Sequence, residues 1–274
     1  MAHLLKIGIV GCGAIGSSLA ESINMDFQGH AKISSLFDLD PVKSLRLSRR
    51  LSLKRSTAVS SLKKLISRSD FVIECASARA VKDVAEAALK AGKDCMIMSA
   101  GGIALRFHEL IVLADKHKAK IYIPSGAISG LDGLKASLWG GLKEVILTTR
   151  KNPVSFKGVP YVKEKGFALE GLKKDLVLFS GKAVDAVRFF PQNINVAAIL
   201  SLAGLGIYNT KVRIIAVPGL KNNVHEIEIR SSAGRIFTRT ENVIHPDNPK
   251  TSYLAVLSAL ACLKQVLDPV RIGT

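Results

Sequence analysis

Three observations predict an α/β chain of two domains: an N-terminal doubly wound parallel sheet, then a smaller α+β domain with a largely antiparallel sheet. First, a mostly apolar run, Leu4 to Val10, ends in Gly11-x-Gly13-x-x-Gly16. Second, apolar runs and helical patterns alternate as far as Pro124, and strands separated by helices make a parallel sheet. Third, strand candidates after Pro124 follow one another with short turns, the mark of antiparallel pairing.

The glycine stretch is a strand, a tight turn and a helix start. Ile15, Leu19 and Ile23 recur every four residues after it, so the helix is amphipathic. In a Rossmann domain the glycines of such a turn have separate tasks. Gly11 permits the bend, Gly13 lets a pyrophosphate approach the backbone, and Gly16 lets helix and strand pack closely. The N–H groups of Ala14, Ile15 and Gly16, at the positive end of the helix dipole, suit a phosphate. A second apolar run, Ile33 to Phe37, ends in Asp38. An acid roughly 20 residues past the last glycine binds the adenosine ribose hydroxyls. The cofactor expected is therefore NAD or NADP. Asp38 argues for NAD. The basic run that follows it argues for NADP, because Lys43 or Arg46 can hold a 2′-phosphate.

Elements follow in order. Asp40-Pro41 caps a helix to about Leu53, with Pro at its first position. Ser56–Val59 reads as a short strand and Ser60–Ser67 as a short helix. Phe71–Cys75 is a buried strand, Ala78–Ala91 a helix closed by Gly92, and Asp94–Ser99 a strand. Arg106–His117 is a helix and Lys120–Pro124 a strand. The strand ends carry Cys75-Ala76-Ser77, Ser99-Ala-Gly-Gly102 and Ser125-Gly-Ala127. Ligands bind at that carboxyl edge, and small residues there leave room for a nicotinamide ring. Leu131–Trp139 is a helix, and Lys143–Thr149 starts a new strand. Residues 152–170 form a polar loop. Phe179-Ser-Gly181 leads into a helix, and Phe190–Ala198 opens another. Lys211–Val217, Asn223–Arg230 and Gly234–Glu241 are strands, the last two a hairpin. Asn248–Ser252 caps a final apolar helix, Tyr253–Leu267.

Composition sets limits. The 274 residues, 48% hydrophobic, suffice for one large or two medium cores. The apolar runs are far shorter than the roughly 20 residues of a membrane span, and the glycines interrupt any secretion signal. The four cysteines, Cys12, Cys75, Cys95 and Cys262, show no pairing pattern. They read as buried thiols of a cytoplasmic protein, and no metal site is expected. The net charge of +17 attracts anions of any kind. Val42 to Ser69 holds Lys43, Arg46, Arg49, Arg50, Lys54, Arg55, Lys63, Lys64 and Arg68, with no acid and no interleaved aromatic residue. The stacking half of a single-strand nucleic-acid site is thus missing, and nucleic acid is not the expected partner.

Five segments together carry a resemblance. They are the N-terminal glycine motif, Pro124-Ser-Gly-Ala-Ile-Ser-Gly-Leu-Asp132, Phe190-Pro-Gln-Asn-Ile-Asn-Val-Ala-Ala198, Val224-His-Glu-Ile227 and Asp247-Asn-Pro-Lys-Thr-Ser252. Over nearly the whole chain the sequence resembles the L-aspartate dehydrogenase family. The resemblance implies a Rossmann domain over residues 1–124, an α+β catalytic and dimerisation domain over 125–249, and a last helix, 250–274, returning to the first. It implies a homodimer that oxidises L-aspartate with NAD or NADP to iminoaspartate. That product hydrolyses to oxaloacetate and ammonia, or passes to quinolinate synthase in NAD biosynthesis. It places the catalytic histidine at His225, and cofactor contacts at Ala127 and at Asn195 or its neighbour Asn193.

The chemistry agrees with that placement. Removing a proton from an ammonium, or activating water against an imine, suits a histidine titrating near neutrality. Of the six histidines, His3, His30, His108 and His117 lie in the first domain and His245 precedes Pro246 in a loop. His225 lies on a strand of the second domain, beside Glu226. The substrate carboxylates want Lys, Arg or a helix start. Lys211, Lys250, Thr251 and Ser252, with Thr210, are the candidates. Two alternatives stand beside this assignment: a dihydrodipicolinate reductase-like enzyme, and a dinucleotide-sensing regulator whose basic face binds nucleic acid.

Overall fold

A computed structural model describes residues 4–190, 195–246 and 248–273. The chain forms two compact units, Met1–Pro124 with Val256–Val270, and Ser125–Ala255 with Arg271–Thr274.

The first unit is an open parallel sheet. Its strands are β1 (Leu5–Val10), β2 (Ala31–Phe37), β3 (Phe71–Glu74), β4 (Asp94–Ile97) and β5 (Ile121–Tyr122), in the order β2-β1-β3-β4-β5. Helices α1 (Ala14–Asp26), α2 (Pro41–Arg50), α3 (Leu62–Ser67), α4 (Val81–Lys90) and α5 (Phe107–Lys116) connect them. Side chains alternate across the sheet. Ile7, Ile9, Phe71, Ile73 and Met96 enter one core with Leu19 and Ile23 of α1. Val10, Val72, Cys95 and Ile97 enter the other with α3, α4 and α5. Both faces are covered, which is why these strands read as continuous apolar runs. The last helix, numbered below as α10, adds Val256, Ala259 and Leu263 to the α1 side.

The second unit holds α6 (Leu131–Trp139), β6 (Leu142–Lys151), α7 (Pro160–Glu164), β7 (Leu176–Lys182), α8 (Ala183–Phe189), α9 (Asn195–Ala203) and β8 (Lys211–Ala216). It continues with β9 (Asn223–Ser231), β10 (Gly234–Asn242), β11 (Ile244–His245), β12 (Asn248–Ser252) and α10 (Tyr253–Leu267). Its five-stranded sheet runs β10-β9-β6-β8-β7. Every pairing is antiparallel except β6 with β8.

Three expectations change. Ser56–Val59 is not a strand: residues 55–57 form a short 3₁₀ turn, and Ala58 makes only an isolated bridge to Leu36. Phe179-Ser-Gly181 belongs to the edge strand β7, because its backbone pairs with β8, and α8 begins only after it. Residues 248–252, expected as a helix cap, pair with β11 as β12. The strand order also differs from a simple meander. β6 separates β8 from β9, and the long connection that a parallel neighbour needs runs from β6 through α7, β7, α8 and α9 to β8.

Candidate active site

The glycine turn of the first unit has the geometry its motif requires. Gly11 has φ +94°, a conformation open to glycine and costly for other residues. A Cβ on Gly16 would lie 1.9 Å from the Gly11 carbonyl oxygen, so helix and turn already touch. A Cβ on Gly13 would meet nothing within 4 Å. The protein itself does not need glycine there, whereas a group approaching the backbone does. Helix α1, which begins with Ala14, Ile15 and Gly16, has no side-chain cap and no acid in its first turn. Its N-terminal N–H groups thus suit a pyrophosphate. Asp38, just past β2, is tied into the same place. Its Oδ2 accepts from the Cys12 N–H at 2.7 Å and its Oδ1 from the Asp40 N–H at 2.9 Å. Lys43 on α2 is near enough for its charge to act on Cys12. Burial nonetheless pushes the Cys12 thiol up to about 12, which leaves it unreactive. In the basic run, Arg50 pairs with Glu21 at 2.8 Å and Arg68 donates to the Ser56 carbonyl at 2.8 Å.

Glu74, which the sequence reading passed over, organises the neighbouring strand ends. It is buried at the end of β3. Oε1 accepts from the Ala76 N–H at 2.8 Å, the Ser77 N–H at 3.2 Å and the Ser99 hydroxyl at 3.0 Å; Oε2 accepts from the Ser99 N–H at 3.1 Å. Burial pushes the carboxyl above its ordinary value, and these hydrogen bonds oppose the shift. Ala76 and Ser77 are therefore fixed by Glu74. The Ser77 hydroxyl also accepts from the Ala80 N–H ahead of α4.

The second unit's sheet changes character along one face. On β6 the buried positions run Val145, Leu147, Thr149, Lys151; on β9 they run Ile229, Ile227, His225, Asn223. The register pairs Leu147 with Ile227 and Thr149 with His225. Thr240 of β10 lies opposite His225, and Asn242 opposite Asn223. One end of a core face is thus polar while the rest is apolar. Thr149 Oγ1 lies 3.0 Å from His225 Nδ1. With the hydrogen on Nδ1 donated to Thr149, Nε2 keeps its lone pair for a substrate proton. The Asn242 side-chain N–H donates to the Ala127 carbonyl at 3.0 Å, which fixes the segment that carries Ala127.

His225 does not titrate near neutrality in the free protein. Burial, and then the charge of Lys151, push it down to about 3 from 6.5. Burial pushes Lys151 to about 8 from 10.5. The sign for stability follows: a base with a depressed folded pKa favours the fold fully above 6.5, and loses that contribution as pH falls towards 3. The Lys151 contribution is already constant below about pH 8. Thermal melting against pH is expected to show a loss of up to a few kcal/mol in this acid window, reduced in His225→Gln. Equal profiles for the two proteins would contradict this account.

Other candidates lie elsewhere. Glu226, beside His225 in sequence, points to the opposite face and pairs with Arg150 and Arg239. Lys211 must be corrected as a substrate group. It lies on that same outward face, exposed, with Nζ 2.7 Å from Glu144 Oε1, in a lattice that continues through Arg230 and Glu228. Thr210 is buried and donates to the Gly206 carbonyl. Ser252 is buried at the start of α10, and Asn195 is exposed at the start of α9. Asn193 and the side chains of Lys250 and Thr251 lie outside the described residues. His245 lies on β11, not in a loop, packed edge-on against Tyr253. Lys151 was missed because the strand was read only to Thr149, although counting by two from Val145 reaches it. Among the described residues no helix is long and apolar enough to cross a membrane, and no His, Cys, Asp or Glu cluster is placed to hold a metal.

The strand-turn-helix glycine motif of the first unit is that of a dinucleotide-binding domain, and the class it points to is the nicotinamide-dependent oxidoreductases. The family model described as homoserine dehydrogenase, NAD binding domain, matches residues 11–124, and that of aspartate dehydrogenase, C-terminal, matches 132–266. The L-aspartate dehydrogenase of Methanosarcina barkeri is 46% identical over 99% of this chain and 100% of its own. That of Methanococcus maripaludis strain C6 is 41% identical over the same shares. The crystal structure of aspartate dehydrogenase from Thermotoga maritima matches with a TM-score of 0.75 at 28% identity, over 99% of this chain and 100% of that one. The chain belongs to the L-aspartate dehydrogenase family.

Proposed function

We propose that this protein oxidises L-aspartate with NAD or NADP to iminoaspartate, which water converts to oxaloacetate and ammonia. The observation that carries the proposal is His225: a buried imidazole, clamped by Thr149, at the polar end of an otherwise apolar sheet face. The nicotinamide, when bound, accepts the hydride from the α-carbon. His225 Nε2 takes the proton that the substrate ammonium must lose first, and the Thr149 hydroxyl, hydrogen-bonded at Nδ1, orients the imidazole for it. The glycine turn with Ala14, Ile15 and Gly16 holds the pyrophosphate, and Asp38 the adenosine ribose. Ala76 and Ser77 would line the rest of the dinucleotide, and the family resemblance assigns Ala127 and Asn195 to it as well. Burial excludes water from the proton transfer and keeps His225 neutral beforehand. We place the protein in the cytoplasm as a homodimer. The exposed Trp139 and Phe237, on α6 and the edge strand β10, support an apolar contact with a second copy. Iminoaspartate hydrolyses readily, which supports direct transfer to quinolinate synthase for NAD biosynthesis.

The test is formation of reduced nicotinamide, followed by its near-ultraviolet absorbance, with L-aspartate, L-malate and L-glutamate in parallel. Reduction with L-aspartate alone is expected; reduction with none, despite cofactor binding, would sink the proposal. Cofactor choice has its own test. Asp38→Asn removes the negative charge that a 2′-phosphate would meet and leaves Lys43 in place. The ratio of kcat/KM for NADP over NAD is expected to rise about tenfold, one charge contact at a partly exposed site. An unchanged ratio would remove Asp38 from the ribose site.

A further inference from the structure

The proposed reaction needs a cation to hold a substrate with two carboxylates, and Lys211 is engaged on the wrong face of the sheet. Lys151 is the one buried Lys or Arg among the described residues, at 7% exposure. A buried ammonium is a group with which a carboxylate makes a strong, charge-assisted hydrogen bond. Its position is specific. It lies on the buried face of β6, two residues past Thr149, and one step beyond the registered pair Arg150–Val224. That step brings it level with Asn223 of β9, whose other neighbour is Asn242 of β10. Across three strands, one row thus reads Lys151, Asn223, Asn242, and the next row reads Thr149, His225, Thr240. Asn242 is 2% exposed, and its Oδ1 has no hydrogen-bond partner among the described residues. The N–H of the same amide is committed to Ala127, so its orientation is set and the free atom is an acceptor. A buried acceptor without a donor is costly. Lys151 and Asn242 stand two strand spacings apart, roughly 10 Å at the backbone.

We propose that Lys151 receives a carboxylate of the substrate, that Asn242 Oδ1 accepts a hydrogen from its amine, and that the row they form is the specificity site beside His225. This rests on the aspartate reading above. The ammonium of Lys151 supplies the charge a carboxylate requires, and the acceptor on Asn242 distinguishes an amino diacid from a hydroxy diacid by the extra hydrogens of the amine. His225, one row away, is then beside the amine it deprotonates. Lys151 also explains what burial alone does not: why a cation is kept next to a histidine that has to accept a proton. A bound carboxylate brings a negative charge beside both groups when substrate is present.

Lys151→Met, Lys151→Arg and the wild type are compared, with L-aspartate as substrate and succinate as a non-reacting diacid titrated by calorimetry in saturating NADH. Truncating one partner of a buried charge pair raises KM for L-aspartate, and the succinate dissociation constant, by roughly 10²- to 10³-fold. The NADH dissociation constant is expected to stay within a few-fold. Lys151→Arg is expected to recover part of the loss, and a purely structural lysine would not give that pattern. Should Lys151→Met fold poorly, Lys151→Gln replaces it. Unchanged KM and succinate binding in a folded charge-removing variant, beside a wild type that turns over L-aspartate, overturn this proposal. A wild type that binds succinate but does not turn over L-aspartate overturns the reaction instead.

Discussion

His225→Ala is expected to lower kcat for L-aspartate by about 10²- to 10⁴-fold, the usual size of a general-base contribution, while NAD and NADP binding stay within a few-fold. The expectation follows from where the group sits. The imidazole is buried on β9, held at Nδ1 by Thr149 at 3.0 Å, in the second unit. The pyrophosphate turn is in the first. The protein offers no ready substitute: among the described residues the other titratable group on that polar end is Lys151, whose ammonium is a donor and not a base while charged. Thr149→Val tests the clamp separately. It leaves the imidazole in place and removes the hydrogen bond that orients it at Nδ1, so a smaller loss, about tenfold in kcat with little change in KM, is expected. A His225→Ala enzyme with near-normal kcat would remove proton transfer at this residue from the account.

Gly13→Val and Gly16→Val are expected to fail for different reasons, and the contrast is as large as the first prediction. Both should weaken NAD binding by at least about 100-fold, because both obstruct the turn proposed to hold the pyrophosphate. Only Gly16→Val should damage the protein itself. Its Cβ would lie 1.9 Å from the Gly11 carbonyl oxygen, so α1 must move off the turn, and melting is expected to fall by several degrees at about 1 kcal/mol or more. At Gly13 the same Cβ meets nothing within 4 Å, and φ is −77°, which any residue adopts. The Gly13→Val protein should therefore melt close to the wild type with the cofactor absent and lose only the stabilisation that added cofactor gives. A Gly13→Val protein that binds NAD normally would place the pyrophosphate elsewhere.

Much of the first unit was legible because parallel strands buried on both faces are unbroken apolar runs. Ile7, Ile9 and Val10 serve two cores at once, and the glycine spacing marks the turn by itself. The second unit was harder to read. Its sheet is mixed, and the parallel neighbour of β6 comes sixty residues later, as β8, where no local pattern announces it. β7 hid because Ser180-Gly181 looks like a break, though its backbone still pairs. In the candidate site, His225 was read as a single residue, since alternation showed only that it shared a face with Ile227 and Ile229. What surrounds it comes from β6 and β10, and cross-strand partners are invisible to a linear reading. The depressed pKa of His225, the polar row through Lys151 and Asn242, and the hydrogen bonds of Glu74 to Ser99 are all of that kind. Lys211 shows the reverse: a lysine at a strand start looked available, and register turned it to the charged outer face beside Glu144.

The most direct test of the central claim is the path of the α-hydrogen. L-Aspartate deuterated at the α-carbon is oxidised by the wild type and the reduced nicotinamide is recovered for mass spectrometry. Deuterium carried into the nicotinamide, with single-turnover reduction by the wild type slowed by the deuterium and turnover at least about 100-fold lower in His225→Ala, is the predicted result. Reduced nicotinamide without deuterium, or equal rates for the two proteins, would contradict a hydride transfer from aspartate prepared by His225.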